Sequence, residues 1–256
     1  MTSDVSTERR GAALWLRLNR PHALNSLTDE LLEALSGGLD VAESDNDVRV
    51  VVLAGAGRAF CAGADLAAFP GPREVHGFLR RVGAVFDRVE QFAKPVIAAV
   101  HGIAVAGGLE LVLCADLVVA TRSARFGDAH ANYGLLPGAG GSVRLPRRIG
   151  PARAKHLMFT GAVLPAVAFA DTDLVTILTD DDGLDEETNA LAAALAARSP
   201  LGLTAMKQLV ARGLEIGIAE ALCREQDRLI AHARTQDFTE GIRAFSEKRA
   251  PVFTGR

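Results

Sequence analysis

Two glycine-rich segments present backbone amides that could bind a ligand. The first is Gly57–Leu66 (GRAFCAGADL) and the second is Ile103–Glu110 (IAVAGGLE). Each follows a predicted buried strand and leads into a predicted helix, where the first N–H groups have no partner within the helix. Such amides can bind an anion, or an oxygen that becomes negative during a reaction, and glycine permits close approach. Taken alone, either segment is more typical of a tight turn.

Glu110 is the side chain that we single out for acid–base chemistry. It lies three positions after Gly107, in the first turn of a predicted helix and within an apolar stretch. A carboxylate in that position can orient a water molecule or move a proton. The alternative is a glutamate that only stabilises the helix through its dipole.

Other kinds of chemistry find little support in the sequence. Neither glycine-rich segment has the spacing of a dinucleotide-binding loop or of a phosphate loop, so nucleotide hydrolysis is not predicted. Cys61 has no base beside it in the sequence, and we interpret it as a small buried hydrophobe. The His, Cys and Asp residues lack the spacing of metal ligands, so the sequence predicts no metal.

The apolar pattern predicts an α/β core followed by helices. Strands that alternate with helices favour parallel pairing. The predicted strands cover residues 12–18, 48–53, 95–100 and 117–120, of which the first is a hairpin or edge strand. The predicted helices cover residues 28–42, 74–92, 107–114 and 152–160, and Thr28 is the predicted N-cap of the first. Pro70 to Pro72 predict a loop. From Glu186 the chain is almost entirely helix-forming, with predicted breaks near Ser199-Pro200, Gly213 and Asp237. We therefore predict a core of residues 1–195 and a C-terminal helical domain of residues 196–256.

Composition narrows the possible partners. The 256 residues carry a net charge of −3, so no basic field would attract nucleic acid. Glycines and acidic residues interrupt the longest apolar stretch, Pro95 to Ala120, so a membrane span is not predicted. The sequence has only three cysteines, and this small, odd number argues against a disulfide framework. The first residues lack the apolar segment of a secretory signal. We expect a soluble cytoplasmic protein.

Four motifs, taken in order, resemble the enoyl-CoA hydratase/isomerase (crotonase) family. They are NRPHALNSL (19–27), GRAFCAGADL (57–66), HGIAVAGGLELVLCAD (101–116) and FGDAHANYGLLPGAGGSVRLPRRIG (126–150), and FSEKRAPVF (245–253) is also similar. The resemblance covers about residues 14–253. It implies an α/β fold, a spiral of ββα units with a C-terminal helical trimerisation domain, and homotrimers that often pair into hexamers. It also implies an acyl-CoA substrate, with coenzyme A entering as part of the substrate and no permanently bound cofactor.

The resemblance assigns catalytic roles to residues of both glycine-rich segments. The N–H groups of Ala64 and Gly107 are expected to form an oxyanion hole for the thioester oxygen. Preorganised donors of this kind are typically worth about 3–4 kcal/mol each. Glu110 matches one of the two catalytic glutamates of hydratases. The expected reaction is the reversible hydration or isomerisation of an enoyl-CoA through an enolate.

A further set of residues is expected to contact coenzyme A. The pantetheine and adenine would lie along His22, Ala23 and Leu24, and the phosphates would lie near Arg58. In the same region, Asp65 would act as a cap or loop anchor. A neighbouring subunit would close over the nucleotide with its Phe245 and Lys248. For Arg58 and Lys248 the alternative is an ordinary solvated surface charge.

The sequence departs from the hydratase pattern at His130, which stands where the family has its second glutamate. A histidine can act as an acid or a base near neutral pH. Asp128 lies close enough in sequence to pair with it, and the alternative is that Asp128 only caps a turn. The histidine cannot hold a water molecule as a carboxylate does, because its hydrogen-bonding geometry and charge differ. The alternative is a loop histidine bonded to backbone.

The histidine leaves two other functions open for the protein. One is an acyl-CoA-binding protein with little hydratase activity, and the other is a CoA-thioester hydrolase or lyase.

Overall fold

The computed structural model describes residues 3–68 and 72–256, so the predicted loop at Pro70 to Pro72 lies mostly outside the described residues. The described strands are β1 (Val5–Arg10), β2 (Ala13–Leu18), β3 (Val50–Gly55), β4 (Val96–Val100), β5 (Ile103–Val105), β6 (Leu117–Thr121), β7 (Arg125–Gly127), β8 (Leu164–Pro165) and β9 (Ile177–Thr179). The described helices are α1 (Asp29–Ser44), α2 (Pro72–Glu90), α3 (Gly107–Leu113), α4 (Gly141–Ile149), α5 (Pro151–Thr160), α6 (Leu184–Ala196), α7 (Pro200–Gly213), α8 (Ile218–His232) and α9 (Gln236–Glu247).

The main sheet has the strand order β1-β2-β3-β4-β6-β9 within the described residues. β1 and β2 form an antiparallel hairpin, and every later pair in the sheet is parallel. The predicted strand at 12–18 is therefore the second strand of the sheet, and β1 is the edge. β1 escaped prediction because its sequence, VSTERR, is mostly polar and exposed.

Helices cover both faces of this sheet, which explains why its central strands are continuous apolar runs. On one face, Leu31, Leu35 and Leu39 of α1 and Phe86 of α2 are fully buried in the larger apolar cluster. On the other face, Trp15 of β2 lies in a second apolar cluster that includes residues of α6.

A smaller sheet, with the order β5-β7-β8, carries the second glycine-rich segment. β5 and β7 are parallel, and β7 and β8 are antiparallel. An isolated parallel bridge pairs Cys61 with Ala104, and the Val105 N–H donates to the Cys61 carbonyl over 3.1 Å. This pairing brings the two glycine-rich segments side by side.

The predicted helices correspond to α1, α2, α3 and α5, with ends that differ by at most two residues. Thr28 caps α1 as predicted, because its hydroxyl accepts a bond from the Leu31 N–H over 3.2 Å. The break predicted near Asp237 is confirmed to within a few residues, because α8 ends at His232 and α9 begins at Gln236. Thr235 is the N-cap of α9, and Asp237 lies within the first turn of that helix, where its carboxylate is buried.

α7 is joined to the core by polar contacts. Lys207 of α7 pairs with Asp116 over 2.8 Å, and the Thr204 hydroxyl donates to the Ala93 carbonyl over 2.7 Å. Burial raises the pKa of the Asp116 carboxyl, and Lys207 partly offsets that effect. α6 ends at Ala196, beside the predicted domain boundary. Among the described helices, none has the length and apolar composition of a membrane-spanning segment.

Asp237 ties the C-terminal tail to two helices. Its Oδ1 accepts bonds from the N–H groups of Thr254 (2.8 Å) and Gly255 (3.0 Å), and its Oδ2 accepts from the Ser199 hydroxyl (2.6 Å). Burial alone would raise the pKa of this carboxyl, but the three hydrogen bonds outweigh burial and hold the pKa below its ordinary value. The bonds therefore stabilise the fold through the ionised carboxylate.

We expect Asp237→Ala to lower the free energy of unfolding by about 2 kcal/mol at neutral pH, since it removes charge-assisted hydrogen bonds. The pKa is lower in the folded state than in the unfolded one. The stabilisation is therefore present above the unfolded pKa, near 4, and is lost as pH falls through the folded pKa. Urea denaturation at pH 7 and pH 3 should show the difference from wild type shrinking at the lower pH.

The matched control is Asp227→Ala on the exposed surface of α8, which should change stability by less than about 0.5 kcal/mol. An equal loss at both pH values for Asp237→Ala would show that the ionised form is not the stabilising one.

Candidate functional site

The two glycine-rich segments bring the backbone nitrogens of Ala64 and Gly107 to one small space. A Cβ built on Gly107 would lie 3.5 Å from the Ala64 nitrogen, and one built on Gly63 would lie 3.2 Å from the Gly107 nitrogen. Neither the Ala64 N–H nor the Gly107 N–H donates a hydrogen bond to any described residue. Both amides are therefore left available for a ligand.

The backbone immediately before Gly107 is strained. Ala106, with φ 50° and ψ −122°, adopts a conformation that residues with a Cβ rarely occupy. Its N–H donates to the Gly127 carbonyl over 3.0 Å, which helps to hold the turn. The turn makes Gly107 the first residue of α3, where the helix dipole favours a negative ligand. Strain of this kind is concentrated at functional sites.

The close approach of the segments restricts residue types. A Cβ on Gly108 would lie 2.1 Å from the Cys61 carbonyl oxygen, so only glycine fits there. Cys61 itself is fully buried, and burial raises the pKa of its thiol to about 12. The interpretation of Cys61 as a buried hydrophobe is therefore confirmed. Among the described residues, no group of three or more His, Cys, Asp or Glu is arranged to hold a metal ion.

Glu110 is held in a fixed orientation by main-chain donors. The residue is only 3% exposed, and its Oε1 accepts bonds from the N–H groups of Ala139 and Gly141, both at 2.8 Å. These donors belong to the segment that leads into α4. No described residue donates a hydrogen bond to Oε2. One oxygen therefore fixes the carboxylate, and the other is left for a substrate or a water molecule.

His130 begins a short 3-10 turn that ends at Tyr133 and follows Ala129, whose φ is 58°. Its Nδ1 lies 3.1 Å from Oδ1 of Asp128, which is within ion-pair distance, but the two groups are not aligned as a hydrogen bond. Burial alone would lower the pKa of His130, but Asp128, with a smaller contribution from Glu110, raises it above its ordinary value. The structure thus brings His130 within electrostatic reach of Glu110.

The predicted coenzyme A segment at His22, Ala23 and Leu24 forms a 3-10 turn next to the first glycine-rich segment. The Leu24 carbonyl accepts a bond from the Ala62 N–H over 3.0 Å, and His22 is exposed. Leu24 has a left-handed conformation (φ 52°), as does Asn25 (φ 57°). The turn is therefore joined directly to the backbone next to Ala64.

Asn25 is a residue of the site that sequence reasoning missed. Its side chain is fully buried, and its Nδ2 donates to three carbonyls, those of Ala56 (2.9 Å), Ala59 (2.8 Å) and Phe60 (3.2 Å). Its Oδ1 accepts from the Arg20 N–H over 2.9 Å. Asn25 therefore fastens the turn to the first glycine-rich segment. The sequence signal for this role is an asparagine a few residues after Pro21, because asparagine tolerates the left-handed backbone conformation.

The other predicted coenzyme A residues have different surroundings. Asp65 is a loop anchor, since it accepts bonds from Arg20 (3.3 Å) and from Ser26 (3.4 Å). Arg58 is exposed. Phe245 (86% exposed) and Lys248 lie at the end of α9, and no described hydrogen bond or ion pair joins either of them to the site within one chain.

Known proteins resemble this chain over its whole length. The family model described as enoyl-CoA hydratase/isomerase matches residues 8–256. The 2,3-dehydroadipyl-CoA hydratase of Escherichia coli (strain K12) is 37% identical over 255 residues, covering 99% of this chain and 100% of its own. The 1,2-epoxyphenylacetyl-CoA isomerase of the same strain is also 37% identical, covering 94% of each chain. The crystal structure of enoyl-CoA hydratase from Bacillus anthracis has a TM-score of 0.95 at 35% identity, covering 99% of this chain and 100% of its own.

The chain belongs to the enoyl-CoA hydratase/isomerase family. Its fold is the mixed α/β crotonase fold with a helical C-terminal region. It is an acyl-CoA enzyme of the hydratase/isomerase type. The family, fold class and enzyme class predicted from the motifs are confirmed.

We expect Asn25→Ala to lower the free energy of unfolding by about 3 kcal/mol, because it leaves buried carbonyls without a donor. The loss should also increase the hydrogen-exchange rate of the Ala62 amide, which bonds to the same turn. Urea denaturation and amide exchange measure the two effects. Asn46→Ala, at an exposed turn, is the control. A loss below 1 kcal/mol would contradict the anchoring role.

Proposed function

We propose that this enzyme adds water reversibly to a 2-enoyl-CoA, or moves the double bond of an enoyl-CoA, through an enolate. The observation that carries the proposal is the buried Glu110 carboxylate, one oxygen of which accepts no hydrogen bond from a described residue. Glu110 lies one helical turn after Gly107, whose N–H, like that of Ala64, has no acceptor among the described residues. A fixed carboxylate beside an anion-binding pair of amides is what enolate chemistry requires.

The N–H groups of Ala64 and Gly107 would stabilise the thioester oxygen. Attack at the β carbon, or removal of an α proton, moves negative charge onto that oxygen. Donors that are already in place need no rearrangement when the charge develops, and each is typically worth about 3–4 kcal/mol. The support is that both nitrogens border the same space and that neither N–H has an acceptor among the described residues.

Glu110 would act as the base through its free oxygen. In hydration, Oε2 takes a proton from water while the water oxygen bonds to the β carbon and the double-bond electrons move onto the thioester oxygen. A proton delivered to the α carbon then completes the addition. In isomerisation, the same carboxylate would take a proton from one end of the allylic system and return it at the other end.

Isomerisation is the second candidate because Glu110 is accompanied by a histidine and not by a second glutamate. Moving a proton along one face of a substrate needs a single base. One of the similar proteins is named 1,2-epoxyphenylacetyl-CoA isomerase, and another is named 2,3-dehydroadipyl-CoA hydratase, so relatives at the same identity are named for different reactions.

Coenzyme A would lie along the turn at His22, Ala23 and Leu24, with Arg58 toward its phosphates. Phe245 and Lys248 would approach from a neighbouring subunit of a homotrimer, or of a hexamer of paired trimers. The support is the apolar surface that the C-terminal helices expose in a single chain. Its members are Met206, Val210, Leu214, Ile218, Leu222, Leu229, Ile230, Ile242, Phe245 and Val252. A cytoplasmic location would agree with three unpaired cysteines.

Glu110→Gln should lower kcat on the preferred enoyl-CoA by about 10²–10⁴-fold, because the amide cannot accept the proton. A panel of 2-enoyl and 3-enoyl thioesters, followed by absorbance and by product analysis, identifies that substrate. Glu30→Gln, on the exposed first turn of α1, is the control. Turnover that survives Glu110→Gln would exclude Glu110 as the base. A wild-type protein that binds thioesters and turns over none would be a binding protein.

Gly107→Ala tests the amide pair without deleting an amide. The added methyl would approach Leu27 Cδ1 to 3.0 Å and the Ala64 nitrogen to 3.5 Å, so the end of the Leu27 side chain must move by a few tenths of an ångström and the space between the two nitrogens narrows. We expect kcat to fall about 10²-fold or more, and the melting temperature of the variant measures the cost of moving Leu27. Gly83→Ala, where a Cβ meets nothing within 4 Å, should leave turnover unchanged. Full activity of Gly107→Ala would exclude this oxyanion site.

A further inference from the structure

The Asp128 carboxylate is buried beside the His130 imidazole. The residue is only 2% exposed, and within the described chain His130 is the one basic side chain at ion-pair distance from it. Removing an ionised carboxylate from water costs several kcal/mol unless a positive charge accompanies it. The environment of Asp128 therefore favours the protonated form of His130.

The backbone between them sets the geometry of the pair. Ala129 has a left-handed conformation, with φ 58° and ψ −6°, and this turn brings the side chains on either side of it together. Nδ1 of His130 is buried and has no hydrogen-bond acceptor among the described residues, although Oδ1 of Asp128 is 3.1 Å away. A small rotation of the ring converts the contact into an Nδ1–H donation to Asp128. Nε2 is then the ring atom left to meet a substrate.

The other charged groups around the imidazole come from two helices. Glu110 of α3 adds a second negative group within electrostatic reach. α5 packs against the turn that begins at His130, and its ionisable residues are Arg153, which is paired with Asp171 over 2.7 Å, together with Lys155 and His156. The two carboxylates are the charged groups that act on the pKa of His130, and both raise it.

We propose that Asp128 is a positioning residue that keeps His130 protonated, and that His130 is the acid that delivers a proton to the α carbon of the enolate. This inference rests on the proposed function. The Nε2–H bond breaks, a C–H bond forms at the α carbon, and the enolate electron pair supplies that bond as the thioester carbonyl is restored. Glu110 holds the proton taken from water. It releases that proton to solvent, and His130 regains one from solvent, so a whole water molecule has been added.

Asp128→Asn should change the pH dependence of kcat/KM. If the protonated imidazole is the acid, wild-type activity falls as pH rises through the pKa of His130. Loss of the Asp128 charge lowers that pKa, so the fall begins at lower pH. We expect kcat/KM to drop roughly tenfold on the alkaline side and to stay close to wild type on the acid side. His130→Gln should lose about 10²-fold or more and should lack this alkaline fall.

A second measurement needs no turnover. NMR titration of ¹³C-labelled histidine in the full-length protein, with the His130 signal assigned by its loss in His130→Gln, reports the pKa of His130 directly. We expect Asp128→Asn to lower it. Asp171→Asn removes an exposed carboxylate paired with Arg153, and it should change neither the titration nor the pH profile.

The possible outcomes separate the two proposals. An unchanged titration in Asp128→Asn overturns the pairing, and an alkaline fall that persists in His130→Gln overturns the acid role. If Asp128→Asn shifts the titration but the wild type turns over no thioester, the proposed function fails and the acid role fails with it. Should Asp128→Asn not fold, the profile of His130→Gln still decides the acid role.

Discussion

The site depends on how closely two stretches of main chain approach each other. The bridge between Cys61 and Ala104 holds the glycine-rich segments at sheet distance, and no Cβ fits at Gly108. That contact brings the nitrogens of Ala64 and Gly107 to one space while leaving both N–H groups without an acceptor among the described residues. The strained backbone at Ala106 is a consequence of the same contact, because the chain must turn sharply between β5 and α3.

Around this main-chain centre, the two ionisable groups are held by different means. Hydrogen bonds from backbone amides fix the Glu110 carboxylate, so its position depends on the segment before α4. His130 is influenced instead by the charge of Asp128, within a turn of its own. The position of one group therefore depends on main-chain dipoles, and the electrostatic environment of the other depends on a neighbouring carboxylate.

Much of the fold could be predicted from the sequence because the signals were local. Apolar periodicity located α1 and α2, and the Thr28 cap is a contact between residues three positions apart. β1 was missed because an edge strand with a polar face carries no apolar pattern. Asn25 and the amides that hold Glu110 were missed for another reason. Their partners lie about 30 residues away, and such pairing follows from packing alone.

The way in which Glu110 is held has a consequence for how such a chain can diverge. Both donors to its Oε1 are backbone N–H groups, as are the two amides of Ala64 and Gly107. Every amino acid except proline supplies a backbone N–H. These hydrogen-bonding groups therefore place no requirement on the side chain type at Ala64 or Ala139. Selection for a new acyl group can act on the surrounding side chains separately from the chemistry, which allows one scaffold to serve many thioesters.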